Sequence, residues 1–117
     1  MTVDEKVELA RRLAASVGVK RNEWMRWAQY FKQRGNLDDA LRLAEYMAGS
    51  LALRGDPKSA ARKICDGVRN HLQELRPLST AELNEVFGYV GRWLAWTKKK
   101  EEERRRGGER RGRGRRR

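Results

Sequence analysis

His71 is the only histidine and Cys65 the only cysteine in the chain, so the question of catalysis starts with them. A histidine serves as general base when a nucleophile and an orienting group complete the set, and none stands near His71. Cys65 falls on an apolar helical stripe, where a thiol packs as an inert group. A single cysteine forms no disulfide within the chain, and no Cys/His cluster has metal-ligand spacing. Asp4, Glu5, Glu23, Asp38, Asp39 and Glu82 gather at helix starts, where a carboxylate complements the positive end of the helix. The glycines terminate helices and form no phosphate-cradling loop behind a strand. These residues predict no enzyme, no metal and no cofactor.

Positive charge is the more informative chemistry. The formal net charge is +12, and residues 98–117 hold twelve Lys/Arg against four Glu, or +8, which leaves sixteen against twelve, or +4, for residues 1–97. Two unlike parts are therefore expected: a mildly basic helical domain over 1–97 and a basic Arg/Gly-rich tail over 98–117. On the predicted fourth helix, Lys58, Arg62, Arg69 and Arg76 are four, seven and seven residues apart. At about 100° per residue this spacing keeps all four within roughly 40° of one another. Such a ridge can follow successive phosphates, a contact that is independent of sequence and sensitive to salt. The alternative is a solvated face. Lys20, Arg21, Arg26, Lys32 and Arg34 flank an aromatic helix whose Trp24, Trp27 and Phe31 are expected in the core rather than stacked on bases. In the tail, Arg104, Arg105, Arg106, Arg110, Arg111 and Arg113 resemble arginine-glycine segments that bind RNA without folding. A polyanionic partner is implied, with RNA favoured over DNA because flexible Arg/Gly runs suit single strands. No apolar anchor points to a membrane, and no small-molecule substrate is indicated.

Helices must position these charges. From Ser79 to Trp96, Leu83, Val86, Phe87, Val90, Leu94 and Thr97 form one stripe, and Tyr89, Trp93 and Trp96 form a second beside it. A helix this apolar needs neighbours on at least two sides. The box Ser79-x-x-Glu82 starts it, and it can run to about residue 106, where Gly107 and Gly108 break it and disorder follows. Thr2 and Glu5 box the first helix, lined by Val3, Val7, Leu9, Leu13 and Val17 and closed by Gly18. Asn22 is expected to cap the second helix and Asn36 the third, which carries Leu37, Ala40, Leu41, Ala44, Met47, Ala48 and Leu51 up to Gly55. Asp56-Pro57 opens a fourth helix reaching Leu75. No stretch alternates with period two. The fold class is all-α, a compact bundle of about five helices with a disordered basic C-terminal tail. The opening MTVDEKVELARR and the lack of a long apolar run lead to the expectation of a soluble, cytoplasmic protein.

Two resemblances add to this. Trp24, Trp27, Ala28, Phe31, Gly35, Ala40 and Ala44 fall at the offsets of a tetratricopeptide unit, so the second and third helices look like one helical hairpin. An array needs about three such units, and the resemblance is taken as support for an antiparallel pair. From about Glu8 to Trp96 the chain also resembles the small helical subunit of CRISPR type III-A effector complexes. The similar features are ARRLAASV, NEWMRWAQYF, LRLAEYMAGSLALRGD and FGYVGRWLAWTKKK, in that order. The resemblance implies a non-catalytic bundle lining the channel for guide and target RNA, with other subunits of the complex as partners. It points to Arg54, Arg62, Arg69 and Arg92 as phosphate contacts. The Arg/Gly tail departs from that family's pattern. Two other functions stay open: a free-standing nucleic-acid chaperone or compacting protein that uses the tail, and a protein-interaction adaptor that uses the hairpin.

Overall fold

Both threonine- and serine-led capping boxes form. In the computed structural model, which describes residues 1–50 and 55–115, with the side chains of Asp56 and of 106–115 excepted, the Thr2 hydroxyl accepts from the Glu5 amide. The Glu5 carboxylate accepts in return from the Thr2 amide, and together they start α1, Val3–Val17. Gly18 closes α1 at φ 55°, in the left-handed region that a Cβ disfavours. α2, Arg21–Arg34, begins earlier than the sequence predicts: Lys20 holds the cap position and Asn22 lies inside the first turn. Asn36 does cap α3, Leu37–Gly49, by accepting from the Asp39 amide at 3.1 Å. α3 stops at Ser50, short of the expected Gly55, and Leu51 lies outside the described residues. Ser79 and Glu82 box the start of the last helix.

The predicted fourth helix is interrupted. α4 covers Asp56–Asn70, capped by Gly55 rather than Asp56, and a single turn, α5, covers Leu72–Leu75. At His71 (φ −117°, ψ 14°) the amide donates to Val68 O three residues back, tightening the last turn. No Gly or Pro marks the spot. The turn is held from outside: Arg12 grips Glu74 with two hydrogen bonds of 3.0 and 2.8 Å, and His71 Nδ1 lies 3.3 Å from the same carboxylate. The Arg12 guanidinium, with help from His71, keeps the Glu74 carboxyl below its ordinary range. α6, Thr80–Arg115, continues through the expected boundary between domain and tail. The helix passes Gly107 and Gly108 without the break that the sequence predicts there, while the side chains of 106–115 and residues 116–117 lie outside the described residues.

Every described element is a helix, and the last one is the centre of the core. α6 packs on α1 and on α2, which supplies the two enclosing sides its apolar width requires. The Phe87 ring meets Trp24, Trp27 and Phe31 at centroid distances of 5.5, 5.2 and 5.0 Å. Both buried indole N–H groups are satisfied, Trp24 donating to Phe87 O at 2.9 Å and Trp27 to Ala40 O at 2.8 Å. The α2–α3 pair is therefore an antiparallel hairpin tied by a core hydrogen bond. Cys65 is buried, and desolvation raises its thiol pKa. Val3, assigned to the core by periodicity, is exposed because it sits in the first turn of α1 beyond the packed layer. Among the described residues no helix is long and apolar enough to cross a membrane.

Side-chain pairs between elements fix the direction of each helix. Lys6 pairs with Glu85 at 2.8 Å and the Met1 amino group with Glu82 at 3.8 Å, so α1 and α6 start together and run parallel. α2 runs back along α6, with Gly35 O accepting from the Thr80 hydroxyl at 3.4 Å at one end and Trp24 beside Phe87 further along. α4 opposes α1, since Gly67 lies against Val17 while Glu74 reaches back to Arg12. At Gly67 a Cβ would stand 2.5 Å from Val17 Cγ1 and 2.9 Å from the Val17 backbone nitrogen. Replacing Gly67 with Ala should force α1 and α4 apart and cost about 1–3 kcal/mol, as overpacking does. Phe87→Ala should cost about 3–5 kcal/mol by opening a cavity in the aromatic cluster. Urea unfolding of both variants checks this, and a neutral result at either position would mean that the packing is looser than described.

Candidate nucleic-acid interface

The ridge predicted on one straight helix is divided by the break at His71. Arg69 and Arg76 turn to α3, where Arg69 pairs with Glu45 and Arg76 lies 3.9 Å from Asp38. Glu45 raises the Arg69 pKa further through this hydrogen bond. Arg69 thus helps to hold α3 and α4 antiparallel, and Arg76, just after α5, lies beside the start of α3, a use of charge that spacing within one helix cannot reveal. Lys58 and Arg62, near the start of α4, have no acidic partner among the described residues; Arg62 is exposed and Lys58 half-buried along its stem. Arg92 is exposed on α6, with its guanidinium 5.8 Å from the Tyr89 ring centre. Arg104 and Arg105 are exposed on the outgoing part of α6. Arg54 lies outside the described residues, as do the side chains of Arg106, Arg110, Arg111 and Arg113.

Helix direction sorts charge between the two ends of the bundle. At the end where α1, α3 and α6 begin stand Asp4, Glu5, Asp38, Asp39 and Glu82, each in the first turn of its helix. At the other end α1 finishes, α2 starts at Arg21, and α6 leaves the core through Lys98, Lys99 and Lys100. α4 opposes α1, so its first two turns bring Lys58, Arg62 and Lys63 toward this same end. Pro57, Ala60 and Ile64 line a groove with α2 residues from Glu23 to Gln33 and with Leu43, Ala44 and Met47 of α3. Most cations without an acidic partner among the described residues are gathered here, Lys32, Arg34 and Arg92 being elsewhere. Unpaired cations are what phosphates can neutralise, whereas an arginine already on a carboxylate must first give it up.

The second sequence cluster does not form one patch. Lys20 and Arg21 lie at one end of α2 and Lys32 and Arg34 at the other, with Arg26 3.9 Å from Glu23 and Arg34 donating to the Tyr30 hydroxyl at 3.3 Å. Trp24, Trp27 and Phe31 are buried, as predicted, and are unavailable for stacking. Sequence reasoning missed Lys63 and the junction Lys98–Lys100 as part of the basic end, because their position depends on which helices run parallel. Among the described residues no group of three or more His, Cys, Asp or Glu could hold a metal ion.

No family profile, curated protein sequence or solved structure matches this chain. The geometry alone separates the cations into structural and available ones, and this separation is measurable. Arg69→Glu, which places a carboxylate against Glu45, should lower the urea midpoint of unfolding, whereas Arg62→Glu should leave it where it is. Equal midpoints for the two variants would contradict the assignment of Arg69 to the α3–α4 pairing.

Proposed function

We propose that this protein is a non-catalytic RNA-binding subunit of a ribonucleoprotein, holding the RNA backbone at the basic end of its bundle. The supporting observation is the collection of unpaired cations from α2, α4 and α6 at one end. Phosphates set the affinity in such an interface and carry no base identity. The other partners in this reading are protein subunits, and the type III CRISPR effector that the sequence resembles is the assembly we propose. Residues 98–117, at +8, favour a second reading as a free-standing nucleic-acid chaperone that relies on the tail. The adaptor reading has less support, because the hairpin residues Trp27, Phe31, Ala40 and Ala44 are buried inside this bundle instead of forming an open face.

RNA affinity against salt distinguishes the first two readings. A Lys58→Glu/Arg62→Glu variant of the full chain should bind single-stranded RNA more weakly, with the slope of log affinity on log salt reduced by about 0.7 for each phosphate that is no longer neutralised. The loss should be the same for unrelated sequences. An unchanged affinity, with binding abolished only when residues 101–117 are removed, would favour the chaperone.

A further inference from the structure

Where α1 ends, α2 begins and α6 departs, the three helices enclose an open groove of about 650 Å³. Its floor is Ala14 and Leu94 with the rings of Trp93 and Trp96. Trp96 is 52% exposed, whereas Trp24 and Trp27 are buried and Trp93 is half-buried. Trp93 stands nearly perpendicular to Trp96 (89°) at 5.6 Å, and Lys100 Nζ lies 5.0 Å from the centre of the Trp96 ring. Five of the residues lining this groove are Lys or Arg, against two glutamates, with Arg11 among them already held by Glu8.

We propose that the groove takes an unpaired base of single-stranded RNA, stacked on Trp96, with the adjoining phosphates on Arg21, Lys98 and Arg105. This rests on the RNA-backbone reading above and adds a base contact to it. A half-exposed indole beside a row of cations provides what a single strand needs, since every base has a π-face and each phosphate needs a counter-charge. Lys100 has a flexible stem, so its ammonium can pass from the ring to a phosphate when the base arrives. Glu101 and Glu102 also line the groove, and a carboxylate accepts from an exocyclic amino group, which favours adenine or cytosine over uracil. A duplex suits the groove less well, because its bases are already stacked and paired.

The test uses the full chain and two short single strands of equal length, oligoadenylate and its abasic counterpart, with affinity read by fluorescence anisotropy. The intact protein should bind the adenylate about tenfold more tightly than the abasic strand, the gain that one stacked base gives. Trp96→Ala, with unchanged circular dichroism, should abolish that gap and leave abasic binding as it was, while Trp96→Phe should retain most of it. A gap that survives Trp96→Ala, or no gap in the intact protein, would overturn the base site and leave the backbone reading standing. If neither strand binds, the RNA reading itself falls, and the base site with it.

Discussion

The Trp24 indole, standing edge-on to Phe87 and donating to its carbonyl oxygen, is the interaction on which the rest of the structure depends. A buried indole N–H left without an acceptor costs about 1–3 kcal/mol, so the hydrogen bond selects one register of α2 on α6. In that register the start of α2 comes alongside the last core turn of α6. Lys20 and Arg21 thereby line the same groove as Trp96 and Lys98. A core interaction between two helices thus decides which surface charges become neighbours.

Much of the fold was legible because it is local. Thr2-x-x-Glu5, Ser79-x-x-Glu82, Asn36 and Gly18 each act through groups within a few residues, and each bounds its helix as the sequence predicts. The apolar stripe of the last helix likewise required two enclosing partners and found α1 and α2. The break at His71 was not legible, since its holding partner Arg12 is distant in sequence and no Gly or Pro marks the position. The same limit applies to the ridge. Four arginines and lysines at helical spacing look equivalent until α3 presents Glu45 and Asp38 to two of them.

Charge is thereby divided by task. Acidic first turns serve the helix starts at one end, ion pairs such as Lys6–Glu85 and Arg12–Glu74 join elements along the body, and most of the remaining cations stand toward the other end. Exposed ion pairs of this kind contribute little stability one by one. Their clearer effect is to specify direction, because a helix packed the wrong way round would bring like charges together. Trp96 belongs to the same design: its position continues the apolar stripe, but the enclosing helices end at Gly18 and Lys20, so the ring is left at the edge.

The central claim is that one end of the bundle, and not the tail alone, meets the RNA. It is tested most directly by following the backbone amide resonances of the full chain while single-stranded RNA is added. The account predicts that the largest shifts fall on residues 18–21, 58–63 and 96–105, with Asp38, Glu82 and their neighbours at the acidic end unmoved. Shifts confined to residues 107–117, or spread over the acidic end, would contradict it.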